Sequence, residues 1–331
     1  MKDHFRLLIT GLVLLTCLMF VLSLLIGPAA LGTADSIRAL LTGQGDAIVL
    51  VMREIRLPRA LLGLMIGATL GLSGAVLQGY LRNPLAEPGL LGVSASASLG
   101  AVIAIYTGLS LAFPLALPLM ALAGAVLAVL LVQALAGRGG STLTIILAGI
   151  AVSSFAGAMT TLALNLSPNP FAAMEIVYWM LGSLTDRSML HVQLAAPFIL
   201  VGWVLLFSLG RSLDALTLGP DAAASMGINI KRVQLFAILG TAASVGAATA
   251  VAGAIGFVGL IVPHILRPLV GARPSRLLPA SALGGASMLL AADILVRLIA
   301  PGRDLKLGVL TAIIGAPFFL WLVFRTRRTM L

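Results

Sequence analysis

Pro263, His264 and Arg267 interrupt an otherwise apolar, glycine-spaced run, GAIGFVGLIVPHILRPLVG, from Gly253 to Gly271. Hydrocarbon satisfies neither a charge nor the backbone groups that a proline frees, so such residues at membrane depth face a cavity, a partner or a conduction path. His264 could carry a proton or touch a ligand; the structural reading is a break in a short span, with its polar groups satisfied at one end. Asp293 and Arg297 stand four apart on another apolar run. Such an i,i+4 pair can neutralise itself within a helix or relay a proton. Ser94, Ser96 and Ser98 with His264 would make an intramembrane hydrolase, but no nucleophile elbow frames them, and small serines in membrane helices are packing residues. His4, His191 and His264 lie far apart, no His or acid cluster has metal-ligand spacing, and no GxxxxGK[ST] phosphate loop occurs. The expectation is therefore no catalytic site, no metal site and no nucleotide hydrolysis by that machinery within this chain.

The elements that must position these residues are membrane helices. The 331 residues are 60% hydrophobic and 10% charged, with a mean hydropathy of +1.12, whereas a soluble domain carries about 25% charged residues. A net charge of +10 invites nucleic acid, but the 21 basic residues are scattered singly with no aromatic-laced basic stripe, which argues against that partner. Cys17, the one cysteine, sits in the first apolar run and excludes an intramolecular disulfide. A bilayer-length window gives ten spans: 7–26, 61–80, 89–108, 113–135, 143–166, 192–209, 233–251, 255–270, 278–298 and 307–324. The first could also be a signal peptide, with PAALGTA behind it, but 20 apolar residues exceed a usual h-region and favour a retained span. The even count puts both termini on one side. The basic tail Arg325, Arg327 and Arg328, with Lys2 and Arg6, makes that side the cytoplasm and leaves Arg53, Arg56 and Arg59 outside as exceptions.

Two non-spanning segments are long enough to fold. The external segment 27–59 contains Ala34 to Leu41, expected as a short helix capped by Asp35 or Ser36. The internal segment 210–232 reads as two short helices, the first with Leu213, Leu216 and Leu218, the second opened by Pro220 and Asp221 and stopped by Gly227. A long loop with its own helices is functional or a solvated connector. Gly63, Gly67 and Gly71, followed by Gly74, mark the second span as a closely packed central helix. Gly240, Gly246 and Gly253 suggest a similar role in the seventh and a pseudo-repeat of halves. Met159, Met174 and Met180 could line a path for a bulky ligand or simply fill space. From the residues alone, a secondary transporter suits the intramembrane charges and interrupted helices.

Five stretches together resemble one family: IRLPR at Ile55 to Arg59, GLSGAVLQGYLRNPLAEPGLLGVS at Gly71 to Ser94, YWMLGSL at Tyr178 to Leu184, GAIGFVGLIVPHILR at Gly253 to Arg267, and GVLTAIIGAPFFLWL at Gly308 to Leu322. In order and spacing, over nearly the whole chain, they are similar to the FecCD-type permease subunits of ABC importers for iron chelates, haem and cobalamin. The resemblance implies an all-α polytopic fold of about ten transmembrane helices, of the type II ABC importer permease kind, with residues 1–331 forming a single transmembrane domain. It implies a permease that translocates an iron chelate, a ferric siderophore or haem, with cobalamin as the alternative cargo and an ion-gradient-driven transporter as the alternative of another class. It implies the inner (cytoplasmic) membrane, no enzyme activity in this chain, no bound cofactor, and ATP and Mg held by a partner.

The partners implied are a second permease copy in a homodimer, two ATPase subunits, an external substrate-binding protein and membrane lipid. Residues carry over by position. Leu218, Gly219, Ala222, Met226 and Gly227, within 210–232, would belong to the coupling helices seated on the ATPase. Arg56, Arg59 and Arg297 match the arginines that dock the binding protein; the other readings are interfacial anchoring for the first two and a bond to Asp293 for the third. The cytoplasmic gate of the cobalamin member falls here on Asn83, Leu85, Ser141 and Thr142, although Asn-Pro is also a plain turn signal. The chain departs from the family at Asp304-Leu305-Lys306, where many members have Glu-Leu-Pro.

Overall fold

The computed structural model describes residues 2–27, 29, 31–43, 46–113, 115–137, 142–167, 169–299 and 305–330; of these, the side chains of 2, 46, 142 and 325–330 lie outside the description. The described residues form helices and no strand. The ten expected spans correspond to α1 (Lys2–Leu25), α4 (Leu57–Tyr80), α5 (Val93–Tyr106), α7 (Ala116–Ala136), α8 (Thr142–Asn165), α10 (Met189–Phe207), α13 (Ile230–Ala252), α14 (Val258–Leu266), α15 (Pro274–Ile299) and α16 (Leu307–Met330). Shorter helices connect them: α2 (Thr33–Thr42), α3 (Asp46–Leu50), α6 (Leu109–Ala112), α9 (Pro170–Met180), α11 (Gly210–Leu216) and α12 (Pro220–Ser225).

Eight of these helices are long and apolar enough to cross a membrane, so the protein is multi-pass. The two exceptions, α5 and α14, have 14 and 9 residues, about 21 and 14 Å of rise against a hydrocarbon core of roughly 30 Å. Irregular backbone completes each. A 3₁₀ turn at Pro88–Leu91 and a left-handed Gly92 precede α5, and Gly253 to Gly256 with a left-handed Phe257 precede α14. A hydropathy window reports apolar length and does not see these breaks.

The expected short helix of segment 27–59 forms as α2, but neither Asp35 nor Ser36 caps it. The N-cap is Gly32, without a side-chain bond, and Gly43 ends the helix in the left-handed region. A third folded connector, α9, was not expected. Asn169 opens it by accepting from Ala172 N at 2.9 Å, with Pro170 next, the usual sequence of an acceptor cap and a proline in the first turn.

α4 and α15 form the central pair. A Cβ on Gly71 would overlap the Ser281 carbonyl, and one on Gly285 the Gly67 carbonyl, so the small-residue face of α4 puts two backbones in contact. Trp203 of α10 donates its Nε1–H to Thr69 Oγ1 at 2.9 Å, satisfying both groups inside the bundle. α13 is the second well-buried span, with Gly240 against Leu206 of α10 and Gly246 against Ala125 of α7. The starts of α1 and α15 meet at one end of the bundle, where Arg276 lies over the Phe5 ring at 5.2 Å. α11 and the last turn of α4 lie at that same end, and α2 lies at the other.

Candidate functional site

Three groups of expected site residues lie on this frame. At the α2 end, a π-helical turn, Val51–Arg56, leads into α4 and sets the direction of its arginines. Arg59 grips Asp293 of α15, with Nη2 to Oδ1 at 2.8 Å and Nε to Oδ1 at 3.0 Å. Arg297 takes the second oxygen, Nη2 to Oδ2 at 2.8 Å, so the i,i+4 pair forms with a third member 234 residues away. Arg297 also donates to Ser23 O at 2.9 Å and Ile26 O at 2.6 Å, and to Ser23 Oγ at 2.7 Å. Arg56 donates to Leu24 O, Leu25 O and Ala29 O at 3.0, 2.8 and 2.6 Å. The orphan carbonyls at the end of α1 are thus satisfied by two guanidinium groups, the placement that the helix dipole also favours.

Asp293 is 1% exposed and Arg56 4%. The three arginines matched to docking positions therefore spend their donors on the protein itself. Arg53 stays exposed and donates to Leu40 O at 2.8 Å, near the end of α2. In the connector between α9 and α10, burial holds the Arg187 guanidinium below its ordinary value, with Asp186 opposing the shift. His191 is explained locally, since its Nδ1 accepts from Ser188 N at 3.2 Å as α10 begins. Lys306, at the departure from the family pattern, sets its amino group 5.3 Å from the Tyr178 ring of α9.

Toward the α11 end of the bundle, Pro263 removes the N–H that would have bonded Gly259 O. Gln78 of α4, 1% exposed, replaces it. Its Nε2 donates to Gly259 O and Leu260 O, both at 3.3 Å, and its Oε1 accepts from Arg267 Nη2 at 2.6 Å. His264 lies edge-on to Phe318 and Trp321 of α16, at centroid distances of 5.7 and 6.5 Å. Ser94 instead accepts from Thr249 Oγ1 at 3.4 Å, so Ser94 and His264 have separate partners. The irregular backbone before α14 lines a cavity of about 150 Å³ with Glu87, Ser94 and Leu70. Irregular backbone at membrane depth is tolerated where it lines such a cavity. Gln78 and Glu87 were not singled out from the sequence, although an amide inside an apolar helix and an acid between two spans were visible signals.

Asn83 and Leu85 share one turn at the α11–α12 end, with Asn83 Oδ1 accepting from Leu85 N at 2.9 Å. Ser141 lies outside the described residues, and Thr142 opens α8 with its side chain outside the description. The two expected helices of segment 210–232 form as α11 and α12, the second flanked by Gly219 and Gly227 at positive φ; Leu218, expected on the first, lies in the turn after α11 ends at Leu216. Leu213 is fully buried, whereas Leu218 and Met226 are 69% and 62% exposed. Ala222 is half-buried in α12. Among the described residues, no three His, Cys, Asp or Glu side chains are grouped to hold a metal.

Comparison with known proteins gives a consistent result. The FecCD transport family matches residues 14–325. The Fe(3+) dicitrate transport system permease protein FecD of Escherichia coli is 40% identical over 292 residues, 88% of this chain and 91% of that protein. The hemin transport system permease protein HmuU of Yersinia pestis is 37% identical over 94% of each chain. The vitamin B12 import system permease protein BtuC of Klebsiella pneumoniae is 42% identical over 277 residues, 83% and 82% of the two chains. A solved structure described as an inward-facing metal-chelate type ABC transporter superposes with a TM-score of 0.83 at 32% identity, over 97% of this chain and 99% of the other.

Proposed function

The chain belongs to the FecCD transport family, and we infer that it is the membrane subunit through which a ferric chelate or haem is imported. As a permease of the metal-chelate ABC importer family it is a transporter subunit rather than an enzyme, and the secondary-transporter alternative gives way to ATP-driven import. The observation that carries the mechanism is the exposed pair Leu218 and Met226, in the turns before and after α12. Large apolar side chains left outside the spans, in the turns that flank α12, suit a surface covered by another protein. The partner ATPase, holding ATP and Mg, seats on Leu218, Gly219, Ala222, Met226 and Gly227, and its closure moves the bundle.

In this reading the α11–α12 end and both termini are cytoplasmic, in the inner membrane. Two permease copies form a homodimer with two ATPases. The turn carrying Asn83 and Leu85, with Ser141 and Thr142, makes the cytoplasmic gate. An external binding protein delivers cargo to the α2 end. Arg56, Arg59 and Arg297 contribute to its docking by fixing the shape of that face, and any direct ion pair competes with the internal bonds described above. The relatives that favour an iron chelate or haem are those of E. coli and Y. pestis, and the Klebsiella relative keeps cobalamin as the second cargo.

Reconstitution with the ATPase and binding protein, followed by ATP-dependent uptake of ferric citrate, a ferric siderophore, haem and cobalamin, tests the cargo. Uptake of an iron compound is expected. Uptake of cobalamin alone would transfer the assignment to the second cargo.

A further inference from the structure

α15 is tied to other elements at both ends, each time through one carboxylate. At the outer end the acid is its own Asp293, gripped by Arg59 and Arg297. At the cytoplasmic end the acid belongs to α11: Asp214 Oδ1 accepts from Ser275 N at 2.8 Å. Ser275 lies in the first turn of α15, where backbone N–H groups have no intrahelical partner, and Pro274 before it has none to offer. A carboxylate on such a donor is a charge-assisted bond at the positive end of a helix dipole. It is an N-cap supplied by a different element.

Two apolar contacts surround this bond. Gly210, the first residue of α11, packs on Ser275, where a Cβ would already lie 3.4 Å from its Cα. Leu213, fully buried, packs beside Gly79 at the end of α4. α11 therefore touches both members of the central pair, α4 through a side chain that can slide and α15 through a directional bond that cannot. The backbones of α4 and α15 are in contact at Gly67, Gly71 and Gly285, which leaves the pair little freedom to move independently. From Ser275, α15 then runs 18 residues, about 27 Å, to Asp293 of the Arg59–Asp293–Arg297 cluster.

We propose that Asp214 is a positioning residue for transport: its carboxylate latches the ATPase-facing helices to the start of α15, so that their displacement reaches the outer end of the bundle. The proposal rests on the ABC importer reading given above. Buried Leu213 and Leu216 hold α11 in place without the latch, so loss of Asp214 leaves the helix docked and weakens only its grip on α15.

The test uses the permease with its ATPase and binding protein in proteoliposomes, with ferric citrate and haem as probes, and records ATP hydrolysed and cargo moved together. Asp214→Ala is expected to raise ATP consumed per cargo roughly tenfold, the scale of a lost coupling contact. Asp214→Asn, which keeps the cap acceptor, is expected to stay near wild type. Amide exchange in the same complex supplies a second readout: ATP changes protection around residues 293–299 in the wild type and in Asp214→Asn, and not in Asp214→Ala. If Asp214→Ala fails to co-purify with the ATPase, Asp214→Gln, which displaces the acceptor, replaces it in both measurements. Wild-type protein that moves neither probe but keeps the exchange response removes the iron and haem cargo and leaves the latch standing. An unchanged ATP-to-cargo ratio and exchange response in Asp214→Ala overturn the latch.

Discussion

At the end of α15 that the proposed orientation makes the outer one, two arginines turn inward on Asp293 and a third closes over the end of α1; at the end it makes the inner one, the turns around α12 leave Leu218 and Met226 exposed. The two ends use their chemistry in opposite ways. Outside, side chains that look from sequence like a contact surface are consumed in holding three helices together. Inside, side chains that look like ordinary loop residues remain free for a partner. Charge alone does not locate a docking surface; what matters is how much bonding capacity a residue has left after folding.

Breaking the outer end has the largest expected effect. Asp293→Ala leaves Arg59 and Arg297 buried without their carboxylate, and should lower stability by roughly 3–5 kcal/mol. A thermal unfolding series in detergent reads this directly, and a variant melting with the wild type would break the comparison. The Gln78 clamp comes next. Gln78→Ala orphans two carbonyls and one guanidinium partner and is expected to cost about 1–3 kcal/mol by the same assay.

Arg53 probes the outer face where it is exposed. It donates to Leu40 O, and Arg53→Ala should cost at most about 1 kcal/mol, with melting close to wild type. The inner end should show the smallest stability change and the sharpest functional one. Leu218→Asp with Met226→Asp places acids on exposed positions, so melting should shift by less than about 0.5 kcal/mol per site while co-purification with the ATPase is lost. A retained complex would remove the partner surface from these residues.

Much of this frame was legible in the sequence. Apolar length predicted every long helix, proline and glycine marked the bounds of α12, and the glycine ladder of α4 marked the central contact. The Asp293–Arg297 pair followed from helical spacing. What was hidden depended on distant packing. Nothing near Asp293 announces Arg59, and Gln78 acquires a role only because Pro263 of another helix exposes a carbonyl beside it. The shortness of α5 was also invisible, because the turn at Pro88–Leu91 that precedes it is as apolar as the helix, whereas Pro263, His264 and Arg267 had marked the span of α14 as short. α9 was missed for the opposite reason, an apolar helix too short for a bilayer window.

The most direct test of ATP-driven import through the inner surface is uptake of ferric citrate and haem by vesicles carrying the permease, its ATPase and its binding protein, compared with and without ATP and across an imposed ion gradient. Uptake that requires ATP, ignores the gradient and disappears in the Leu218→Asp, Met226→Asp variant is the predicted result. Uptake that follows the gradient without ATP, or that survives in that variant, would contradict it.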